Sequence, residues 1–309
     1  MAKKTQHDIA IKRNRSWDDK LLYSITNVVL VFVLVVVAYP LIYVVSCSFS
    51  DANAIMTGRV FLWPVEFTLD GYRAIFAYKS VWTGYANTIL YTVCGTIVNM
   101  LMSVLIAYPL SRPNYQGRGI ITKMCTVTML ISAGLIPNYL LMSNLGLVNS
   151  RIGFILMDFT FSTYNMIIIR TYFKSSIPGE LIEAARIDGC SELGTLFKIV
   201  LPLSKAVLSV VTLYYAVGHW NAYFSAMIYL RKPEYQPLQV ILRNILDITK
   251  SASFNAGDIG DPELLVVLEK QAELMKYSLI IVSSAPLIAA YPFVQKFFKT
   301  GVMIGSVKG

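Results

Sequence analysis

Residues 25–48 read ITNVVLVFVLVVVAYPLIYVVSCS, a run of 24 residues without a charged side chain. A bilayer core is about 30 Å thick and needs about 20 apolar residues per helix, so this run is long enough to span it. The rest of the chain has the same character, since 55% of its 309 residues are hydrophobic, 15% are charged and the mean hydropathy is +0.56. Soluble domains carry about 25% charged residues. The sequence therefore predicts an integral membrane protein.

Five further apolar stretches of similar length follow, which predicts an all-α polytopic membrane protein with six transmembrane helices. The predicted spans are residues 25–48, 85–109, 120–142, 152–173, 206–230 and 275–298. Lys and Arg number 17 on the side of the two termini and ten on the opposite side, and the short segments on the first side are the richer in charge. Positive charge favours the cytoplasmic side. We therefore expect a transmembrane domain over 25–298 between a cytoplasmic N-terminal segment, 1–24, and a cytoplasmic tail, 299–309.

The first span has two alternative interpretations as a processing signal. Residues 44–47 loosely resemble a lipid-attachment site, and residues 52–54 resemble a cleavage site. The apolar run is longer than the about 7–15 residues of a signal-peptide core. We therefore expect the first span to remain uncleaved.

Three classes of function find little support in the sequence. The net charge of +9 does not indicate nucleic-acid binding, because the basic residues lie between apolar runs instead of forming a stripe. The chain has no Gly-x-x-x-x-Gly-Lys-Ser/Thr phosphate-binding loop, so any ATP must be bound by a partner. No cysteine pair has the spacing of a zinc or redox site. The four cysteines are Cys47, Cys94, Cys125 and Cys190.

Two long segments are predicted on the outer side, residues 49–84 and 231–274. In the first, Asp70 is expected to cap a short helix over residues 71–79. In the second, one helical stripe is followed by a Ser-, Asn- and Gly-rich break, and a new helix is expected to start at residues 261–263 and run into the sixth span. The stripe consists of Leu238, Ile241, Leu242 and Ile245.

On the inner side, residues 174–205 contain the stretch Ser176-Ile-Pro-Gly-Glu-Leu-Ile-Glu-Ala-Ala-Arg-Ile-Asp-Gly-Cys190. It predicts a short exposed helix, because Pro178 suits a first turn and Glu180 and Glu183 complement the helix dipole at that end. Gly189 can adopt the left-handed conformation that ends a helix.

The predicted helix carries small residues, and a second helix follows it. Ala184 and Ala185, with Leu181 and Asp188 at helical spacing, are expected to form a face that another protein can approach closely. The second short helix is expected over residues 191–200 and ends at Leu201-Pro202.

This pattern resembles the cytoplasmic loop signature of the permeases of binding-protein-dependent ABC importers. The resemblance implies a type I ABC importer permease fold, in which the loop is a coupling helix seated in a cleft of an ATPase subunit. The residues that carry it are Glu183-Ala184-Ala185, Asp188-Gly189, Phe197, Ile199 and Leu201-Pro202-Leu203. The coupling residues it implies are Glu180, Glu183, Ala184, Ala185, Asp188, Gly189, Leu201 and Pro202. Two positions depart from the pattern, Cys190 where alanine is usual and Lys205 where proline is frequent.

Other segments resemble the maltose-type carbohydrate permeases, in particular the MalG-like half and the LplC-like oligosaccharide permeases of Gram-positive bacteria. These segments are Asn87-Thr88, residues 107–112, 134–139, 295–301 and 305–309. The resemblance implies that the tail reaches the ATPase through Gly305, Val307, Lys308 and Gly309. It also implies a location in a bacterial plasma membrane.

The resemblance also implies the partners. They are a second, related permease that forms a heterodimer with this chain, two copies of a cytoplasmic ATPase that bind ATP and Mg²⁺, an extracellular sugar-binding lipoprotein, and membrane lipid. The cargo is a carbohydrate, expected to be an oligosaccharide. The chain itself is expected to hold no cofactor or metal, to bind no nucleic acid and to be a transport subunit, not an enzyme.

A polar and aromatic cluster in the fifth span is a candidate for the sugar path. Aromatic rings and amides suit sugars, and Trp220, Asn221 and Tyr223 provide both. In the alternative interpretation, His219 and Asn221 bind neighbouring helices and Trp220 packs.

Three further polar residues allow two interpretations each. Asn87 and Asn99 line the path or bind adjacent helices, and the sequence does not choose. Asp158 is the one carboxylate well within a predicted span, and it is either functional or a satisfied structural group.

Two other functions remain to be compared with an importer. A transferase acting on lipid-linked sugar would need a catalytic constellation, and the sequence shows no clear one. A passive channel would give a flux that does not depend on ATP.

Overall fold

The computed structural model describes residues 17–131, 133–157, 162–247 and 262–305, and every regular element in these ranges is a helix. The predicted all-α class is confirmed for these residues. The helices are α1 (Trp17–Ser48), α2 (Ala52–Met56), α3 (Asp70–Ala77), α4 (Lys79–Ser111), α5 (Arg118–Leu130), α6 (Leu135–Asn144), α7 (Arg151–Met157), α8 (Thr163–Ser175), α9 (Gly179–Ile187), α10 (Glu192–Leu203), α11 (Lys205–Trp220), α12 (Tyr223–Tyr229), α13 (residues 238–247) and α14 (Pro262–Gly305). A wider π-helical turn, Leu196–Val200, lies within α10.

Three of the described helices are long and apolar enough to cross a bilayer, namely α1, α4 and the Val266–Pro292 part of α14. Two bent pairs, α5 with α6 and α10 with α11, raise this number to at most five by length and composition. The first, second and sixth predicted spans thus lie in single helices. Each of these helices begins before the predicted span, α1 by eight residues.

The predicted third and fifth spans are not single helices. Residues 120–142 form α5 and α6, which meet at an angle of 112°. The break lies near Gly134, whose φ of 82° is incompatible with a continuing right-handed helix. Residues 206–230 form α11 and α12, which are separated by two non-helical residues, Asn221 and Ala222.

The predicted fourth span is also divided. Its residues belong to α7 and α8, and residues 158–161 between them, which include Asp158, lie outside the described residues. The predicted break at 251–260, the N-terminal residues 1–16 and the tail residues Val307, Lys308 and Gly309 also lie outside them. Gly305 is the last described residue of α14.

The segments predicted on the outer side fold largely as expected. The α13 stripe is confirmed, because Leu238, Ile241, Leu242 and Ile245 are all buried. The helix that starts near residue 261 is confirmed by α14. The predicted cap at Asp70 is wrong, since Asp70 is the first residue of α3 and binds Arg73 instead, and α3 ends at Ala77 with α4 starting at Lys79.

Two apolar clusters lie at opposite ends of α4. The first, here called the α9 cluster, joins the C-terminal part of α4 (residues 104–110) to α8, α9, α10 and α11. The second, the α13 cluster, joins Val81 of α4 to α3, α13 and α14. Val81 and Tyr108 are separated by about 40 Å along the helix axis at 1.5 Å per residue. Because a bilayer core is about 30 Å thick, the two clusters fit its opposite sides.

α1 stands apart from this core. Its most apolar segment has no buried residue, and only Ser46, Cys47 and Ser48 at its C-terminal end are buried. A helix that is apolar all round and remains exposed is typical of a lipid-facing membrane span. α1 therefore has the composition and exposure expected of a lipid-facing span, and its last turn attaches it to the rest of the fold.

Candidate coupling surface and transport path

The predicted coupling helix is present as α9, and its ends follow from local chemistry. Pro178 is the residue before the first turn, and Glu180 lies in that turn. Gly189 has a φ of 76°, and the N–H of Cys190 donates to the Ala185 carbonyl at 2.8 Å. The N–H of Gly189 donates to the Arg186 carbonyl at 3.0 Å. This pair of bonds is a Schellman motif, which ends α9 after two and a half turns.

The two alanines of α9 do not share an exposed face, contrary to the prediction. Ala185 is buried, and Ile182 of the same face packs in the α9 cluster. Successive helical residues point about 100° apart, so two adjacent alanines cannot lie on one narrow stripe. Ala184 is exposed, and with Leu181 and Ile187 it forms a surface with an apolar centre.

The exposed surface of α9 has features of a docking site. Ile187 is 86% exposed, and this large apolar side chain was not singled out from the sequence. Glu183 lies about one turn before Ile187 and Glu180 about two turns before it, and both are exposed. An apolar centre with a charged rim is the usual composition of a protein interface. We call the exposed residues of α9 the coupling surface, namely Glu180, Leu181, Glu183, Ala184, Ile187 and Asp188.

A polar network fastens α9 to the end of α4. The Glu192 carboxylate accepts bonds from Arg186 Nη2 at 2.6 Å and Arg186 Nε at 3.1 Å. Its other oxygen accepts a bond from the hydroxyl of Tyr108 at 2.9 Å. The Arg186 guanidinium and then the Tyr108 hydroxyl lower the pKa of Glu192, so this carboxylate is charged at neutral pH. Glu192 thus links α9 to α4.

The same end of α4 is joined to α8. The Arg112 guanidinium lies 5.1 Å from the centre of the Tyr108 ring, and its Nη2 donates to the Phe173 carbonyl at 3.3 Å. Arg170 Nε donates to the Leu110 carbonyl at 2.9 Å. A cavity of about 440 Å³ is lined by Tyr108, Arg112, Arg186 and Glu192, among other residues. Sequence reasoning missed the network, because Tyr108 and Glu192 are 84 positions apart.

α10 and α11 complete the inner region and meet at an angle of 86°. Leu201 packs against the α9 cluster, and Pro202 is exposed at the end of α10. The predicted end of the second short helix near these residues is confirmed to within two residues, since α10 extends to Leu203.

Two of the predicted path residues are engaged in the fold. Trp220 is buried, and its Nε1 donates to the Ser283 carbonyl of α14 at 2.9 Å. Asn87 is buried, and its Nδ2 donates to the carbonyls of Glu234 at 2.8 Å and Gln236 at 3.0 Å. Both side chains therefore hold elements together in this conformation, as one of the two interpretations of each predicted.

Two other predicted path residues border a break in the helix. Asn221 is exposed and ends α11, and Tyr223 is half-buried and begins α12. The Tyr223 N–H donates to the Asn221 carbonyl at 2.7 Å, a tight turn that interrupts the helix. His219, one turn earlier, is buried against Gly95 of α4.

Comparison with known proteins then decides the family. The family described as "Binding-protein-dependent transport system inner membrane component" matches residues 9–303. The chain belongs to this family. Its α9 carries the Glu-Ala-Ala motif that is typical of these permeases, at residues 183–185.

Individual relatives agree with the family assignment. The polygalacturonan/rhamnogalacturonan transport system permease protein YtcP of Bacillus subtilis is 36% identical over 96% of this chain and 100% of its own length. Protein LplC of the same species is 36% identical over 87% of this chain and 89% of its own. A solved chain of a bacterial ABC transporter involved in the import of the acidic polysaccharide alginate is 37% identical, with a TM-score of 0.81 over 92% of this chain and 98% of its own.

Family membership defines the role of the chain in its complex. Permeases of this family are transport subunits, and ATP hydrolysis belongs to a separate ATPase. The chain is therefore a membrane-embedded permease of an ABC importer, and α9 is the element to compare with the coupling helix of the family.

Proposed function

We propose that this chain forms one half of the membrane translocation pathway of an oligosaccharide importer and that its α9 transmits the motion of a partner ATPase. The observation that carries the proposal is the coupling surface. It is a short helix with an exposed Ile187, ended by Gly189 and fastened to α4 through Glu192. Carbohydrate cargo is supported by the names of similar permeases, which include arabinooligosaccharide and galactooligosaccharide transport proteins.

The proposed topology has six spans and two cytoplasmic termini in the plasma membrane of a Gram-positive bacterium. The three long helices provide the first, second and sixth spans, and α5 to α8 and α11 to α12 provide the others as broken segments. Broken helices are tolerated at membrane depth where they lie within protein or line a cavity. The separation of about 40 Å between the α9 cluster and the α13 cluster supports opposite sides for the coupling surface and the outer segments.

The proposed assembly contains a second permease, two ATPases that bind ATP and Mg²⁺, and an extracellular binding lipoprotein. The family description, binding-protein-dependent transport, supports the last of these. The coupling surface, with Leu201 and Pro202 behind it, contacts one ATPase. The tail residues Gly305, Val307, Lys308 and Gly309 reach the same ATPase pair.

The proposed mechanism is a two-state change. Closure of the ATPase pair moves α9, and the bonds of Glu192 pass this movement to Tyr108 at the end of α4. α4 and α11 then favour an outward-open cavity, and hydrolysis resets them. The sugar path passes the helix break at Asn221 and Tyr223, while Trp220 and Asn87 maintain the walls behind it.

A charge reversal on the coupling surface tests the proposal. Glu183→Lys is expected to leave the permease in the membrane but to lower the ATPase that co-purifies with it about fivefold, because reversing a charge in the interface is expected to cost on the order of 1 kcal/mol. Glu234→Lys is a matched control, since Glu234 is an exposed carboxylate on the predicted outer side.

The measurement is the ratio of ATPase to permease after affinity purification in detergent. Equal ATPase recovery for Glu183→Lys and wild type would contradict the role of α9. Sugar uptake by vesicles with and without ATP separates the importer from a channel, since a channel would carry sugar at the same rate in both.

A further inference from the structure

A groove lies beside the helix break at Asn221 and Ala222. It is bounded by α13 on one side and α14 on the other, with Tyr223 of α12 at one end, and has a volume of about 300 Å³. Binding sites of transporters are commonly formed where a membrane helix is interrupted, because the unwound backbone lines the cavity. The groove is therefore placed where a cargo would pass.

The lining of the groove is mixed in polarity. Leu242, Leu246, Leu279 and Ile280 supply an apolar wall. Tyr223 and the amide of Gln239 provide an aromatic ring and hydrogen-bonding groups. A sugar presents apolar ring faces and a rim of hydroxyl groups, so such a lining suits a carbohydrate.

The charged residues of the groove indicate a narrower class of ligand than its mixed polarity does. Two charged side chains line it, Arg243 from α13 and Lys276 from α14, and both are cations. Each forms an ion pair with a carboxylate on its own helix, and that carboxylate does not line the groove. Arg243 Nε binds Asp247 Oδ2 at 2.8 Å, and Lys276 Nζ binds Glu273 Oε1 at 2.8 Å.

Both cations keep hydrogen-bonding capacity. A guanidinium has five N–H donors and an ammonium has three. Arg243 uses Nε for Asp247, and Lys276 uses one donor for Glu273 and also lies 4.7 Å from the centre of the Tyr277 ring. Among the described residues, no further hydrogen-bond acceptor engages either cation. The groove can therefore offer donors to an anionic group from two sides.

We propose that this groove is a subsite for a carboxylate-bearing oligosaccharide, a chain of uronic acid units, and that Arg243 and Lys276 bind its carboxylates while Tyr223 packs on a sugar ring. This inference rests on the proposed function and names its cargo class. A neutral chain can also accept hydrogen bonds from the unused N–H groups of the two cations, but hydrogen bonds from a cation to a carboxylate are shorter and about twice as strong.

The test uses the complete importer, with its own partners, in proteoliposomes. The probes are trigalacturonate and its trimethyl ester, which share one sugar skeleton and differ in charge. Uptake is measured with ATP at sub-saturating probe concentration. The variants are Arg243→Gln with Lys276→Gln, and Arg73→Gln as the control. Arg73 forms an ion pair with Asp70 on α3 that lies outside the groove and is more exposed than either of the groove's pairs.

The wild type is expected to import trigalacturonate and to discriminate against the ester. The double variant is expected to lower trigalacturonate uptake at least about tenfold, because a hydrogen bond to a charged group is large enough to change an affinity by that factor. Arg73→Gln should match the wild type. Raising the salt concentration should lower the wild-type uptake more than that of the double variant.

Three results would overturn the inference. Trigalacturonate uptake by the double variant that equals wild type would show that the groove is not the subsite. Import of neutral oligosaccharides and exclusion of trigalacturonate, with ATP required, would reject the cargo class but leave the proposed function intact. Absence of ATP-dependent uptake of any oligosaccharide would reject both. A melting temperature equal to wild type shows that the double variant is folded.

Discussion

Glu192→Gln is expected to uncouple ATP hydrolysis from sugar import without releasing the ATPase. The change removes the negative charge that receives bonds from Arg186 of α9 and Tyr108 of α4. Glu192 is not part of the coupling surface, so the contact with the ATPase should persist. What weakens is the attachment of α9 to the transmembrane helix that it moves.

The size of the expected effect follows from the hydrogen bond between the buried Tyr108 and Glu192. Tyr108 is 7% exposed, and its bond to Glu192 is 2.9 Å long. A hydrogen bond to a charged group contributes about 1.5–3 kcal/mol, and the value is reduced here because the Glu192 side chain is 55% exposed. A loss of about 1.4 kcal/mol corresponds to a tenfold change in an equilibrium. We therefore expect the detached state of α9 to become roughly tenfold more populated.

The assay is the number of ATP molecules hydrolysed per sugar imported in proteoliposomes. In the wild type this ratio is fixed by coupling, and in Glu192→Gln it should rise several-fold, with ATP hydrolysis persisting when sugar is absent. Tyr108→Phe removes the same bond from the other partner. The double variant should therefore be little worse than Glu192→Gln alone.

Glu269→Gln is the control for Glu192→Gln, since Glu269 is an exposed carboxylate of α14. It should leave the ratio unchanged. An unchanged ratio in Glu192→Gln, with normal ATPase recovery, would refute the reasoning. Loss of the ATPase from the purified complex would equally refute it, because Glu192 would then belong to the docking surface.

Two further predictions concern stability. The pKa of Glu192 is lowered in the folded protein. The charged carboxylate therefore stabilises the fold fully above its ordinary pKa of about 4.3, and this contribution is lost as the pH falls through the lowered pKa. The difference in melting temperature between wild type and Glu192→Gln should accordingly be full at pH 7 and shrink below about pH 4.3. Gly95→Ala would place a methyl group 2.5 Å from His219 Cε1 and should destabilise the protein by about 1–3 kcal/mol, which would lower its melting temperature. Gly119→Ala is the control, because its added methyl group contacts nothing within 4 Å, and it should not lower the melting temperature. Equal melting temperatures for the two variants would contradict the close packing of Gly95 against His219.

Much of the helical architecture could be predicted from hydropathy and local signals. α1, α4 and α14 are long because their apolar runs are long, and α9 ends at Gly189 because glycine accepts a positive φ. The breaks near Gly134 and Asn221 could not be predicted, because a window average of hydropathy contains no information on backbone angles.

Only the local part of the candidate site could be predicted, because its remaining contacts join residues that are distant in sequence. Local spacing identified α9, but which of its faces is buried depends on Ile182 meeting residues of α4, α8, α10 and α11, which are distant in sequence. For the same reason the contact between Tyr108 and Glu192 could not be read from the sequence. The groove depends on Arg243 and Lys276, which lie on two helices whose packing the sequence does not state.

α4 is attached at both ends to elements that are expected to contact different partners. Near its start, Asn87, Thr88 and Tyr91 bind the backbone of residues 234–238, and near its end Tyr108 binds Glu192. The helix has 33 residues and is about 50 Å long. Free-energy coupling between two binding events is reciprocal. If a ligand that displaces residues 234–238 changes nucleotide affinity, nucleotide must change the affinity for that ligand by the same factor, and α4 is the helix that both attachments share.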